Sequence, residues 1–122
     1  MRNKLVEVKF DKVVCDSKTL ADNFGKRHKD VLDSIRHLLP LEAKTGSYMF
    51  IWQRYLNLNN GHLYPVYWMT KDGFTLLVTG FKPTENNREW AAKYFKAFNE
   101  TEKHEQEKER SNKALEWAYG QV

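Results

Sequence analysis

The sequence predicts one α+β domain that ends in a long helix, and three observations support this fold class. Apolar and charged residues alternate in "KLVEVKFDKVVC", and branched and aromatic residues fill two runs after residue 47, which is typical of strands. Apolar residues recur at helical spacing in four other stretches. Finally, 122 residues with four Trp, six Tyr and seven Phe suffice for a buried core.

The composition narrows the classes of protein to consider. The single cysteine, Cys15, cannot form an internal disulfide, and none of the four histidines stands at a metal-ligand spacing, so we expect no metal and no cofactor. No apolar run approaches the ~20 residues of a membrane span, and the first residues do not resemble a secretion signal. We therefore expect a cytoplasmic protein without membrane contact.

The charge is unevenly distributed along the chain. Before residue 100 there are 16 Lys and Arg against 10 Asp and Glu, a net charge of +6, and from Glu100 onward there are 4 against 6, a net charge of −2. A basic domain at residues 1–99, followed by a charged helical extension at residues 100–122, suits an anionic partner such as nucleic acid.

A helix-turn-helix is predicted after the first two strands, which a turn at Asp11-Lys12 would join. Asp16 or Ser17 can cap a first short helix, and Gly25 can end it. A second helix at residues 27–39 has one apolar face and one basic face, and Pro40 is expected to stop it. Residues 41–47 then read as a connector.

A β-hairpin follows, formed by "YMFIWQRYLNL" and "LYPVYWMT" with an Asn-Gly turn between them. Pro65 predicts that the second strand lies at an edge or begins after it. A hairpin after a helix-turn-helix is the order of elements in winged-helix domains. The full prediction is an α+β fold with a helix-turn-helix of winged-helix type, a β-hairpin and a long C-terminal helix.

Two more helices complete the predicted domain. Thr70 caps a core helix that Gly80 ends, and the long helix begins near Asn86. Apolar residues return near the end of the charged extension, at Leu115, Trp117 and Tyr119. They could pack back on the body, meet a second chain, or lead into a longer natural protein.

Six residues are the candidates for DNA binding: Lys26, Arg27, His28, Lys29, Arg36 and Arg54. The start of the second helix would enter a major groove, with Arg27 and Lys29 reaching base edges and Lys26 and Arg36 contacting phosphates. An ordinary solvated helix face is the alternative. It is weakened because cations crowd the positive end of a helix dipole. Asp30 and Asp33 on the same helix count against DNA binding, because they would repel phosphate unless they pair with the cations or accept hydrogen bonds from cytosine.

The hairpin offers a second candidate surface. Arg54, Asn59, Asn60 and His62 could form a wing that touches DNA, whereas a purely structural hairpin is slightly favoured. Four aromatic residues could stack on bases, but at strand spacing they are more often core residues. They are Trp52, Tyr55, Tyr67 and Trp68.

The order of motifs resembles the Rha family of phage and prophage regulatory proteins. The resemblance is carried by "KTLADNFGKRHKDVLDSIRHL", "PVYWMTKDGFTLLVTGF" and "AAKYFKAFNETE", and it covers roughly residues 4–103. It implies a phage-encoded regulator in the bacterial cytoplasm, with a DNA-binding N-terminal domain that a variable C-terminal domain often follows. Where family members tend to carry a Gly-Lys-rich link, this chain has "KPTENNREW", which removes positive charge from that loop.

Two functions from different classes follow. The first is a regulator that binds double-stranded DNA through the second helix. If it binds as a homodimer, the two-fold would most simply arise from the aromatic C-terminal helix or the tail. The second is an antirepressor-type module that binds a host or phage regulator through the exposed aromatic hairpin and the charged helix, which a contiguous apolar patch would favour. We expect no enzyme, because no nucleophile elbow, phosphate loop or catalytic carboxylate pair is present in the sequence.

Overall fold

The computed structural model describes residues 4–120, with side chains for residues 4–118, and it has the predicted α+β fold. Four strands form one antiparallel sheet in the order β1-β2-β4-β3. Four helices pack with this sheet, and the last of them is long. In chain order the elements are β1 (Glu7–Lys9), β2 (Lys12–Asp16), α1 (Ser17–Asn23), α2 (His28–Thr45), β3 (Phe50–Leu56), β4 (Leu63–Met69), α3 (Lys71–Thr79) and α4 (Glu85–Gly120).

The sheet joins β2 to the β3–β4 hairpin through a short pairing. Cys15 and Asp16 of β2 pair with Met69 and Trp68 at the end of β4. The prediction from Pro65 was wrong for the strand as a whole, because β4 lies between β2 and β3 and begins before Pro65. The part of β4 that contains Pro65 pairs with β3 alone, so its missing N–H interrupts no ladder on the open side. The distal half of the hairpin therefore projects from the sheet.

The turn between β1 and β2 lies one residue earlier than predicted. Lys9 pairs with Lys12, so Phe10 and Asp11 form the two-residue turn, and both have positive φ, 56° and 58°. Two positive φ values match the right-handed twist of a tight hairpin. The prediction of Asp11-Lys12 was wrong because a bulky residue such as Phe10 rarely occupies this conformation and gives no local signal for it.

The first helix begins and ends as predicted. Asp16 precedes α1, and its carboxylate accepts a hydrogen bond from the Thr19 N–H at 2.7 Å. Gly25 follows the helix with a φ of 65°, in the left-handed conformation that suits glycine. A short turn then leads directly into α2, so α1 and α2 form a helix pair with a glycine-containing turn.

The second helix does not stop at Pro40, contrary to the prediction, and most of the predicted connector is helical. A proline inside a helix removes one backbone hydrogen bond and costs about 3 kcal/mol. Contacts beyond Pro40 offset this cost, because the Glu42 carboxylate accepts hydrogen bonds from the N–H groups of Met49 (2.9 Å) and Phe50 (2.7 Å). The helix ends instead at Gly46, which has a φ of 71°.

The tip of the β3–β4 hairpin is a loop and not a two-residue Asn-Gly turn. It spans residues 57–62, closed by a hydrogen bond from the Asn57 N–H to the His62 carbonyl at 2.9 Å. The side chains of Asn57 and Asn60 accept from the N–H groups of Asn59 and His62. Because these asparagines satisfy backbone donors locally, a longer loop is ordered without the tight turn.

The core lies where the four helices meet the sheet. Thr70 caps α3 as predicted, and Gly73 in its first turn lies against the start of β3, where an added Cβ would come within 2.7 Å of the Met49 carbonyl oxygen. Phe74 stacks on Tyr94 of α4 at 4.9 Å between ring centroids. Tyr94 and Phe98 are fully buried.

The fourth helix continues without interruption through residues 99 and 100. Of the apolar residues near its end, Leu115 is 54% exposed and Trp117 is 70% exposed, so neither packs back on the body. The side chain of Tyr119 lies outside the described part of the chain. No helix within the described residues is long and apolar enough to cross a membrane.

Candidate nucleic-acid interface

The start of α2 presents cations on the surface of the domain. Arg27 is the residue that precedes the helix, and its side chain makes no capping hydrogen bond. Lys29 and Arg36 are exposed and lie two turns apart on the same helix face. Together with Lys26, these residues form what we call the basic edge of α2: Lys26, Arg27, Lys29 and Arg36.

Two carboxylates on the same helix pair with cations of the basic edge. Asp30 accepts hydrogen bonds from Arg27 Nε (3.0 Å) and Nη2 (3.2 Å), and Asp33 accepts one from Arg36 Nη1 (3.1 Å). The hydrogen bond and charge of Asp30 raise the pKa of Arg27, while the hydrogen bond from Arg27 lowers the pKa of Asp30. The two carboxylates that would repel phosphate are thus partly neutralised, whereas Lys29 has no ion-pair partner among the described residues.

Lys26 is tied to the body of the domain. Its ammonium lies 4.4 Å from the centroid of the Phe81 ring, after the end of α3. A cation over an aromatic face is attracted by the ring quadrupole. This contact holds the charge of Lys26 close to the α1–α2 turn, beside Arg27.

His28 points into the molecule, unlike its neighbours in the basic edge. Its Nε2 lies 2.8 Å from the hydroxyl of Ser17, which also accepts a hydrogen bond from the Tyr67 N–H at 3.0 Å. Burial first and the charge of Lys18 second lower the pKa of His28, against the opposing charges of Asp16 and Asp22. The neutral ring can accept the Ser17 proton, so this chain of hydrogen bonds fastens the start of α2 to β4.

The same hydrogen bonds connect the β3–β4 hairpin to the start of α2. Tyr67, which Ser17 contacts, pairs with Trp52 across the two strands. Two residues further along β3, the guanidinium of Arg54 lies 5.4 Å from the Trp52 ring centroid. Arg54 is thus linked to the start of α2 through Trp52, Tyr67 and Ser17.

The four aromatic residues of the hairpin divide between core and surface. Tyr67 is buried, Tyr55 and Trp68 are half-buried, and Trp52 is exposed. Trp68 donates a hydrogen bond to Gln53 and lies beneath the Lys9 ammonium. The prediction that such residues are mostly core is right for Tyr67 and wrong for Trp52, which lies on the edge strand β3.

An apolar patch lies on the same face of the hairpin as Arg54. Leu56 and Leu63 pair across the strands, and they and Trp52 are between 51% and 57% exposed. Paired residues of antiparallel strands point to the same face, and residues two apart along a strand share it. Three large apolar side chains thus surround the Arg54 cation, and we call this set the hairpin patch.

Sequence reasoning missed two residues that shape the interface. Ser17 looked like a helix cap, but Asp16 caps α1 and the buried Ser17 hydroxyl joins α2 to β4. Glu42 lay in a predicted connector, yet it fixes the end of α2 to the start of β3. The hydrogen-bond partners of both residues lie outside the local stretch of sequence, so no local pattern predicts these contacts.

The elements that form this surface also carry a family likeness. A family model described as phage regulatory protein Rha matches residues 15–103. The chain belongs to the Rha family. The match runs from β2 to the middle of α4, so it includes both the α1–α2 pair and the β3–β4 hairpin of this Rha family member.

A relative from Haemophilus influenzae extends the likeness. An uncharacterized protein of Haemophilus influenzae is 32% identical over 89 residues, which cover 71% of this Rha family member and 50% of that protein. The chain thus spans half the length of the relative it matches. No solved structure matches it.

Proposed function

We propose that this member of the Rha family binds double-stranded DNA and regulates transcription of phage or prophage genes in the cytoplasm of the host bacterium. The observation that supports this most is the basic edge of α2, where Arg27 and Lys29 project from the start of an exposed helix face. In this proposal the protein acts by binding alone and catalyses no reaction.

We further propose that the domain is a winged helix. Its chain order of strand, two helices and two strands, with β2 beside β4 in the sheet, supports this assignment. In such a domain the second helix of the pair enters the major groove and the hairpin flanks it. Here α2 would be the recognition helix and the β3–β4 hairpin the wing.

The basic edge contains two kinds of contact in this proposal. Arg27 and Lys29 reach base edges, since Arg and Lys can bridge the O6 and N7 acceptors of guanine. Lys26, Arg36 and Arg54 contact phosphates and orient the domain without reading sequence. The first N–H groups of α2, which no side chain caps, supply further donors for a phosphate oxygen.

The hairpin patch supports a second candidate function, an antirepressor-type module that binds a host or phage regulatory protein. Trp52, Leu56 and Leu63 are each about half exposed around Arg54, and exposed apolar clusters of this kind mark protein interfaces. This function requires the hairpin patch, whereas the DNA-binding function requires the basic edge. The two candidates therefore make different predictions for the same set of variants.

The DNA proposal is tested by fluorescence anisotropy with labelled duplex DNA from the gene's own neighbourhood, across a salt series. We expect log affinity to fall linearly with log salt, because binding releases counterions from phosphates. The variant Arg27→Ala/Lys29→Ala should bind at least tenfold more weakly, since one bidentate base contact alone contributes about 1–3 kcal/mol.

A matched control removes the same charge elsewhere. Lys96→Ala/Lys103→Ala takes two exposed cations from α4 and should retain most of the affinity. Equal losses in both double variants would show that only net charge matters and that α2 is not the interface. If the wild-type protein binds no duplex even at low salt, the DNA proposal is wrong. Loss of partner capture in Trp52→Ser/Leu56→Ser would then support the antirepressor function.

A further inference from the structure

The ion pair at the start of α2 has a specific geometry. Asp30 engages Arg27 from the side, through Nε at 3.0 Å and Nη2 at 3.2 Å. A guanidinium group carries five N–H bonds in one plane. The side-on contact uses one from Nε and one from Nη2, which leaves both N–H bonds of Nη1 and one of Nη2 available at the far end of the group.

We propose that Asp30 is a positioning residue that presets Arg27 to bind guanine, so that this protein selects a G·C pair opposite Arg27. This inference rests on the proposed DNA-binding function. Guanine presents O6 and N7 side by side in the major groove, and two parallel N–H bonds of an arginine match them. The Nη1–Nη2 end of Arg27 has this arrangement and stays open.

The effect of the ion pair is to order a flexible side chain before DNA arrives. Holding a long side chain in one rotamer usually reduces affinity, because its conformational freedom is lost on binding. Asp30 lies one helical turn after Arg27 and restrains that freedom in the unbound protein. The Arg27 side chain is 77% exposed, so no other part of the described domain encloses it.

The second ion pair of α2 provides an internal comparison. Asp33 contacts Arg36 through a single hydrogen bond from Nη1, at 3.1 Å, so the guanidinium can rotate about that contact. Nη1 also belongs to the end of the group that would face guanine. Asp30 and Asp33 are equally exposed, at 51%, and lie in the same helix, but only Asp30 leaves a fixed and open donor pair.

Selection of bound sequences from a duplex library with a randomised central segment tests the proposal, followed by affinity measurements on single base changes. The wild-type protein should enrich one G·C pair, and Asp30→Asn should lower the preference for it by roughly tenfold. Asp30→Asn should also bind random duplex more tightly, because a negative charge near the phosphates is removed. A loss of folded structure would weaken both kinds of binding, so the opposite signs separate positioning from stability.

Asp33→Asn is the matched control, and it should strengthen non-specific binding to a similar extent while retaining the preference for guanine. Asp30→Glu, which keeps the carboxylate, should restore part of the preference. A wild-type protein that binds duplex without preference for guanine, or an Asp30→Asn variant that keeps the preference, overturns the role of Asp30 and leaves the proposed function intact. No duplex binding at all would instead refute the proposed function.

Discussion

The hydroxyl of Ser17 is fully buried and has a partner on either side, the His28 ring and the Tyr67 N–H. A buried polar group of this kind is destabilising if one partner is lost, because the group left unpaired has also lost its water. His28 is the partner that can change with pH. Protonation would place a hydrogen on Nε2, which then could no longer accept the Ser17 proton.

This arrangement makes the stability of the fold depend on pH. The pKa of His28 is lowered in the folded protein, so between that value and its unfolded value of about 6.5 the unfolded chain binds more protons. The free energy of unfolding should therefore be highest above pH 6.5 and fall as pH drops below it. Urea denaturation at several pH values between 7.5 and 5 measures this slope.

His28→Gln should flatten the slope over that range. His62→Gln is the control, because His62 lies exposed in the hairpin loop away from Ser17, and that variant should keep the wild-type pH dependence. An unchanged slope in His28→Gln would show that groups other than His28 determine the acid sensitivity.

At the scale of elements, the features that sequence reasoning found are local ones. Asp16, Thr70 and Gly25 act on backbone groups within three residues of themselves, so a short stretch of sequence contains the whole interaction. The continuation of α2 past Pro40 could not be predicted in this way. It depends on Glu42 reaching the N–H groups of Met49 and Phe50, seven and eight residues ahead and in another element.

The candidate interface, too, was only partly predictable from the sequence. The sequence identifies the cations of the basic edge and the two aspartates. Which cation pairs with which aspartate follows only from the positions of their side chains. The inward orientation of His28 depends on Ser17 and on Tyr67, which lies 50 residues after Ser17 in the chain. Only the assembled fold brings these three residues together.

The packing of α3 on β3 leads to a prediction for Gly73. In a helix interior, Gly→Ala usually stabilises a protein by about 0.5–1 kcal/mol. At Gly73 the added Cβ would lie 2.7 Å from the backbone oxygen of Met49, so α3 or β3 must shift. Gly73→Ala should instead lower the free energy of unfolding by about 1–3 kcal/mol, measured by urea denaturation.

Gly80→Ala serves as the comparison at the end of the same helix. There the nearest atom to an added Cβ is the Leu77 oxygen at 3.6 Å, which is an ordinary contact. Its unfolding free energy should stay within about 0.5 kcal/mol of wild type. If Gly73→Ala proves as stable as Gly80→Ala, the close approach of α3 to β3 is not a constraint on the fold.

The whole molecule consists of a packed body and a helix that extends away from it. With 36 residues, α4 is about 54 Å long, yet its last fully buried residue is Phe98. The described side chains from residue 106 onward are exposed. Most of the negative charge after Glu100 therefore lies on the solvated part of α4, which is a different element from the one that carries the basic edge.

Removing the end of this helix should leave the body intact. A chain that stops after Arg110 loses no side chain that is buried among the described residues, and the Lys113–Glu109 ion pair that it gives up is exposed at both partners. Exposed pairs contribute little, so the free energy of unfolding should change by less than about 0.5 kcal/mol. A larger loss would mean that Leu115 or Trp117 has a partner, such as a second copy, and sedimentation at several concentrations would reveal that assembly.

Cys15 lies at the junction of β2 with β4, and its reactivity can report on the opening of that junction. Cys15 pairs with Met69 there and is 1% exposed, and burial raises the pKa of its thiol well above the ordinary value. Alkylating reagents attack the thiolate, and the closed fold provides neither access nor charge stabilisation for one. The rate at which Cys15 is alkylated in the native protein therefore measures how often this junction opens.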